Sequence, residues 1–454
     1  MNQDLWDKIL QFDLDAQPGE YVFSIRLARE NNWTQNFAQG AILEYRKFMY
    51  LAAVYDLMVS PSPVVDVVWH QHLIFTQSYQ AFCNLLGKQI QHIPSTHHKT
   101  DFEKFRQAGE RTASLYEENF GPQPRAFWGY EDMYGSLNLG PGRYKIGNTI
   151  WIGMLAFIVL VIPFYLLFRP VYVTIGNPDF IYGYLVLILA TFGVLELFNR
   201  QKLKEITDQF DKESFIFNLQ PYELLYLKDQ NLSSVINGVV NELIHNQTVV
   251  ANTDNTVELT ENDAADSFEQ QQVVETIRSL GRPSYPNVIK AVAFKPVFQN
   301  MTGAMDGFKK HFRQSNPFGN LFNLNFAVLS VVMMLGTGRL VTGVLRDKPV
   351  ILIFFVLFIL LMVMVVFLAR LSGQMGKQII PNYYRKTILP GMQTEGNWQW
   401  RYFLVGTAAL SASFLPIVNY VNSSSSSSSD SSVSDSGSSC GSSCGSSCGG
   451  CGSD

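Results

Sequence analysis

Four long runs of apolar residues interrupt an otherwise mixed sequence. The runs cover residues 149–168, 180–198, 321–337 and 350–369. Glu196 is the one charged residue within them. A helix rises ~1.5 Å per residue, so about 20 apolar residues cross a hydrocarbon core of about 30 Å. The pattern therefore predicts two transmembrane hairpins, at residues 149–198 and 321–369.

A weaker apolar stretch follows at residues 402–421. It is uncharged but diluted with Ser, Thr, Asn and Pro416, and a basic segment beginning at Arg370 precedes it. Its low hydropathy favours an interfacial helix, with a fifth span as the alternative. We therefore expect four transmembrane helices, possibly five, and a separate segment at residues 370–421.

Residues 1–140 have the pattern of a soluble helical module. Helical periodicity covers residues 21–31, 37–58 and 101–119. Ser62 and Pro63 suit the cap and the first position of another helix, and Gly87 suits its end. We predict a single helix between these residues.

Residues 200–318 predict a second soluble segment. Its elements are a helix at 219–228, a helix at 233–246, a hairpin turning at 252–255, and a helical unit at 268–312. Helix, helix, hairpin is the order of a winged-helix fold, which raises the possibility of DNA binding. The second helix carries no Lys or Arg for phosphate contacts, which favours a packing or protein-interaction module.

Composition and charge agree with a mainly α membrane protein. Hydrophobic residues make up 47% of the chain and charged residues 16%, while the net charge of −4 gives no basic footprint for nucleic acid. Arg200, Lys202 and Lys204 follow the second apolar run, so the positive-inside rule places both soluble segments in the cytoplasm. The acidic start of the sequence predicts no cleavable signal peptide.

Histidine is concentrated in one region, because five of the seven histidines lie between His70 and His98. Asp66 and His70 are four residues apart and share a face of the predicted helix. The candidates to complete a site with them are His92, His97, His98 and Glu44. These residue types predict a site for a divalent metal such as zinc.

His72 is a different kind of candidate. It lies two residues from His70, so the two can share an ion only if the helix is broken. Cys83 would lie ~16 Å from His72 along one straight helix, which excludes a zinc site between them. The alternative to any metal is a packed stripe that includes Trp69, with Asp66 orienting His70.

The segment 422–454 is rich in Ser, Gly and Cys and is predicted to be disordered. Its thiols are Cys440, Cys444, Cys448 and Cys451. Four thiolates on a flexible chain could bind zinc or copper(I). The repeated Gly-Ser-Ser-Cys pattern favours a solvated tail.

Several motifs resemble a known family. FSIRLARENNW, EYRKFMYLA, PSPVVDVVWHQHLIFTQSYQ, IQHIPS and SLYEENFG before FWG are similar to the N-terminal module of the glycine-rich domain-containing protein family. The residues that match its E-Y-x-x-F and V-D-x-x-W-H-x-H patterns are Glu44, Tyr45, Phe48, Val65, Asp66, Trp69, His70 and His72. The resemblance implies a helical module and names no reaction.

The C-terminal half resembles a second family. LQPYELLYLK, GRLVTGVLRDKPV and the Cys-rich end are similar to a family of bacterial membrane proteins of unknown role. This resemblance implies a bacterial inner-membrane location.

Three functional hypotheses follow. The leading one is a non-enzymatic scaffold or sensor that sits in the lipid bilayer and presents cytoplasmic modules to other proteins. The second is a metal-dependent enzyme that uses Asp66, His70 and a later histidine, with Glu44 as base or ligand. The third is thiol metal binding by the tail. The chain has neither a G-x-x-x-x-G-K phosphate loop nor an H-E-x-x-H zinc motif.

Overall fold

The computed structural model describes residues 1–16, 19–93, 99–143, 145–262, 264–392 and 397–426. It is mainly α-helical, as predicted, and its described strands form one short hairpin.

The N-terminal module is a bundle of seven helices and a short 3₁₀ turn. Its elements are α1 (Gln3–Gln11), α2 (Phe23–Asn31), α3 (Gln35–Val54), α4 (Pro63–Ile74), α5 (Thr76–Leu86), α6 (Lys99–Phe120), α7 (Arg125–Trp128) and the turn Met133–Leu137. Helix α3 begins at the Thr34 cap, whose hydroxyl accepts from the Phe37 N–H. It contacts α1, α2, α4, α6 and α7 and is therefore the centre of the module.

Four helices in the described part of the chain are long and apolar enough to cross a membrane. They are α8 (Ile146–Thr174), α9 (Asn177–Thr207), α15 (Asn316–Val344) and α16 (Ile351–Gln374). The chain is thus an integral membrane protein. A helix of 29 residues, such as α15, is about 44 Å long and exceeds the hydrocarbon core. The third apolar run, predicted to end at residue 337, continues as a helix, because α15 extends to Val344.

Buried polar side chains tie three of these helices, α8, α9 and α15, together. The hydroxyls of Tyr172 and Tyr184 donate to carbonyl oxygens of α15 at 2.8 Å each. Asn199 and Asn325 exchange hydrogen bonds of 2.7 and 2.8 Å between α9 and α15. Paired groups of this kind avoid the cost of unsatisfied polar atoms in lipid.

Glu196 and Arg339 lie at opposite ends of the membrane helices and do not pair with each other. Glu196 accepts from Arg200 at 2.8 Å and from Arg370 at 3.1 Å. Arg339 donates to the carbonyls of Tyr172 and Ile175 at the end of α8. Each charge is therefore satisfied locally.

The middle segment confirms the predicted order of helix, helix and hairpin. Its elements are α10 (Pro221–Asp229), α11 (Leu232–His245), β1 (Val249–Ala251), β2 (Val257–Leu259), α12 (Phe268–Leu280), α13 (Tyr285–Val292) and α14 (Pro296–Arg313). The two strands are antiparallel, with Val250 opposite Glu258. Helix α11 is the second helix of the predicted winged-helix order, and it is largely buried against its neighbours. Its buried face therefore packs against the surrounding helices.

The C-terminal part covers the middle segment and does not form a fifth span. Helix α16 continues through π-helical turns and the short helix α17 (Ile380–Tyr383) to Gly391. Residues 402–421 then fall in α18 (Trp398–Val405), a 3₁₀ turn and α19 (Leu415–Ser426). The Tyr402 hydroxyl donates to the Ser234 carbonyl at 2.9 Å. These contacts resolve the choice between four and five spans in favour of four.

The N-terminal module and the middle segment pack against each other through α2 and α14. Glu223, which is 2% exposed, lies at this contact and accepts from the backbone N–H groups of Gln35 and Gln220 at 3.1 and 2.8 Å. Burial raises the pKa of Glu223 to about 7, against the effect of these two hydrogen bonds. Both soluble parts therefore lie on the same side of the membrane.

Candidate metal centre

The helix predicted from Ser62 to Gly87 is two helices, which corrects the sequence prediction. Its start is as expected, since the Ser62 hydroxyl accepts from the Val65 N–H and Pro63 is the first residue. The helix stops at Phe75, whose ψ of 63° is not helical, and α5 follows at once.

The break brings together aromatic residues that one helix would separate. The rings of His72 and Phe82 are 5.6 Å apart, and the Trp69 indole N–H donates to the Tyr79 hydroxyl at 3.1 Å. Each of these pairs is ten residues apart, which is ~15 Å along a straight helix. Helix α5 therefore folds back so that both helices bury their rings around Tyr45.

The break also removes the reason for excluding Cys83 as a partner of His72, since that distance assumed one straight helix. Cys83 is buried and free of disulfide bonding.

Among the described residues, the metal-ligand types gather as a group of three at Asp66, His70 and His92. The predicted core of the site is therefore brought together by the fold.

The three side chains lie close to the spacing that a metal requires. Asp66 Oδ1 lies 3.0 Å from His92 Nε2, and Asp66 Oδ2 lies 3.3 Å from His70 Nδ1. One ligand atom from each residue falls within 4.8 Å of the others. A tetrahedral zinc ion with bonds of ~2.0–2.1 Å separates its ligand atoms by about 3.4 Å. A small movement of the two rings would admit an ion.

His92 is held in place from both α4 and α5. Gly87 adopts a left-handed conformation, with φ of 70°, and turns the chain back after α5. The Tyr79 hydroxyl donates to the Ile90 carbonyl, and the His92 ring packs edge-on against Trp69 at 4.7 Å. The Trp69 and Tyr79 side chains thus position His92, a candidate ligand that neither helix carries.

The cluster is open to solvent. The side chain of His92 is 16% exposed, that of Asp66 36% and that of His70 55%. Three protein ligands leave at least one coordination position for water or another ligand. The arrangement is therefore suited to reversible binding of a divalent cation.

His72 does not belong to this cluster, which corrects its prediction as a ligand. It is fully buried, with Nδ1 2.8 Å from the Tyr45 hydroxyl and Nε2 3.0 Å from the Ser78 hydroxyl. Burial, with a smaller effect of Arg46, lowers its pKa to about 4. The ring is therefore neutral at pH 7 and joins α3, α4 and α5.

Glu44 is also placed elsewhere, which corrects its prediction as a ligand or base. Its carboxylate accepts from Lys47, from the Tyr116 hydroxyl and from the Trp128 indole N–H, each at 2.7 Å. Burial and the Glu44 hydrogen bond raise the pKa of Tyr116. Glu44 therefore ties α3 to α6 and α7.

The remaining candidates lie outside the described residues. They are His97, His98, Cys440, Cys444, Cys448 and Cys451. The same holds for the part of the predicted disordered tail beyond residue 426.

The sequence analysis did not predict that Lys47, Tyr116 and Trp128 gather around Glu44. A sequence signal for this cluster exists, because Tyr116 lies in SLYEENFG and Trp128 in FWG, two of the motifs that carry the family resemblance. Sequence reasoning also missed the hydrogen-bonded chain from Trp69 through Tyr79, since one straight helix keeps these residues apart.

Comparison with known proteins gives one similarity. A family model described as UCP032817-like matches residues 23–116, a segment that contains Glu44, Asp66, His70 and His92. The description names no activity, and the match ends before α8. No curated protein and no solved structure matches the chain.

Proposed function

We propose that this chain is a membrane-anchored, non-enzymatic sensor or scaffold whose N-terminal module binds one divalent metal ion, such as zinc. The ligands are Asp66, His70 and His92. The observation that carries the proposal is the spacing of their ligand atoms, which lie within 4.8 Å of one another on an exposed face.

Metal binding has a defined structural consequence at this site. Asp66 and His70 lie on α4, whereas His92 lies beyond α5, so an ion would cross-link two segments of the module. Each histidine would bind the ion through a ring nitrogen that carries no proton, because histidine binds metals as the neutral imidazole. An ion that binds the folded module more tightly than the unfolded chain stabilises it by mass action.

The test is metal binding by the purified full-length chain in detergent. We expect about one equivalent of zinc, measured by elemental analysis and by competition with a coloured chelator. Asp66→Asn and His92→Gln should each weaken binding at least about tenfold, since each removes one of three ligands. His245→Gln, which changes an exposed histidine of α11, is the matched control and should bind as the parent does.

Two results would refute this assignment. One is a chain without stoichiometric metal. The other is metal that survives both substitutions and disappears when the four tail cysteines are replaced by serine, which would assign the ion to the tail.

A metal-dependent enzyme is the second candidate, because three ligands leave a coordination position open. Glu44 no longer serves as its base, since the Glu44 carboxylate is bound to Tyr116 and Trp128. Cobalt substitution tests the enzyme. Azide that changes the absorption spectrum of the cobalt-loaded chain would show the open coordination position that an enzyme requires, and an unchanged spectrum would rule the enzyme out.

We further propose that both soluble parts face the cytoplasm of a bacterial inner membrane, where they are accessible to other proteins. Support comes from Arg200, Lys202 and Lys204 at the end of α9, by the positive-inside rule. We also propose that the N-terminal module is related to the glycine-rich domain-containing protein family, because its motifs resemble those of that family.

The sidedness can be tested with two reporters joined after Asn246, in the middle segment. A fluorescent protein that matures in the cytoplasm should be bright there, and alkaline phosphatase should be inactive. Phosphatase activity at this position would place both soluble parts outside and overturn the orientation.

A further inference from the structure

A large cavity opens between two of the membrane helices. Its volume is about 1100 Å³, and it lies between α8 and α16 with α15 as its floor. Apolar side chains form most of its wall, among them Met154, Phe326, Met333, Leu361 and Met364. Helix α15 packs against both flanking helices, so the groove between them is part of the fold.

The length of the cavity matches one leaflet of a bilayer. On the α8 side its lining runs from Lys145, which caps the helix, to Ile158, and its lining on α15 runs from Phe322 to Met333. At ~1.5 Å per residue these stretches are about 20 and 17 Å long, against about 15 Å for half of the hydrocarbon core. The cavity therefore extends from the membrane surface to near the midplane.

The mouth of the cavity is cationic. Lys145, Lys310 and Arg313 line it, all three are exposed, and the lining includes no Asp or Glu. None of the three forms an ion pair with another described residue. Three unneutralised cations at the edge of an apolar groove attract an anionic group at the depth of the lipid headgroups.

These cations come from two segments that are fixed to each other. The Gly142 N–H donates to the Gln314 carbonyl at 2.8 Å, and the Asn316 N–H donates to the Gly140 carbonyl at 2.8 Å. The chain before α8, which carries Lys145, is thereby held against the end of α14. The geometry of the mouth is therefore built into the backbone.

We propose that this cavity binds an anionic phospholipid from the leaflet that faces the soluble parts. An acyl chain would lie between α8 and α16, and the phosphate would lie among Lys145, Lys310 and Arg313. The apolar depth requires a hydrocarbon ligand, and the positive charge of the mouth selects one whose headgroup has a net negative charge. This site is independent of the proposed metal centre, which lies in the N-terminal module.

The test is native mass spectrometry of the full chain, purified in mild detergent and mixed with phosphatidylglycerol or phosphatidylcholine. We expect one phosphatidylglycerol to be retained in preference to phosphatidylcholine. Replacing Lys145, Lys310 and Arg313 with glutamine should weaken retention roughly 100-fold, about 3 kcal/mol for three cations near an anionic headgroup. Neutralising Lys204, Lys377 and Lys386, which are exposed elsewhere, gives the same charge change and should leave retention unaltered.

Ser330→Phe tests the apolar depth, because Ser330 lines the cavity. Ser330→Phe should retain neither lipid. The triple glutamine variant should remain folded. Equal losses in the two triple variants would overturn the proposal, since they would indicate general charge attraction. Displacement by inorganic phosphate, or a dimer that Ser330→Phe abolishes, would also overturn it, because the cavity would then be an anion site or a subunit interface.

Discussion

Replacing Glu44 with alanine is expected to lower the free energy of unfolding of the N-terminal module by about 3–5 kcal/mol. Glu44 is 2% exposed, and it accepts from Lys47, Tyr116 and Trp128. Its removal leaves the Lys47 ammonium without its ion pair and the two aromatic donors without their shared acceptor. Three helices would lose their common attachment at once.

Hydrogen exchange of the full-length chain, followed by mass spectrometry, measures this effect in peptides from α3, α6 and α7. Glu103→Ala is the matched control. Glu103 pairs with Arg106 on the exposed face of α6, so its loss should change exchange little. If hydrogen exchange in these peptides is as slow in Glu44→Ala as in Glu103→Ala, the buried carboxylate contributes no more to stability than a surface one.

The second large effect concerns acid. His72 has a pKa of about 4 in the folded chain against 6.5 in the unfolded chain, because burial disfavours its charged form. The unfolded chain therefore binds a proton first as the pH falls. The stability that the neutral ring contributes is present above pH 6.5 and is lost between pH 6.5 and 4, by about 3 kcal/mol in total.

His72→Gln isolates this contribution, since glutamine keeps a donor and an acceptor but does not titrate. The difference in unfolding free energy between the parent and His72→Gln should shrink as the pH falls from 6.5 to 4. Glu223 has the opposite pH dependence, because its pKa is raised to about 7, but it is present in both chains and cancels. A difference for His72→Gln that stays constant between pH 6.5 and 4 would contradict the buried neutral ring.

Much of the fold follows from periodicity and end signals. Long uncharged runs predicted the four spans, and the Ser62–Pro63 pair predicted the start of α4. The order of helix, helix and hairpin in the middle segment was also predictable. These features depend on local sequence, which is why they could be identified without tertiary information.

The sequence predicted the residue types of the candidate site but not the direction in which each side chain points. Asp66, His70 and His92 come together as proposed, whereas Glu44 and His72 face inward to hydrogen-bond partners. The contacts of His72 with Ser78 and Phe82 depend on the break at Phe75, which has no Gly or Pro to mark it in the sequence. Tertiary packing of this kind overrides helix propensity.

Helix α16 leaves the membrane without ending, and its extension from Met375 to Gly391 is about 25 Å long. Gly376 lies close against Leu227 of α10, so the extension packs against the middle segment. The helix thus has one part in lipid and another part packed within the soluble region of the protein. A tilt of about 10° in the bilayer would move its outer end by about 4 Å, so bilayer thickness has a mechanical route to the soluble face.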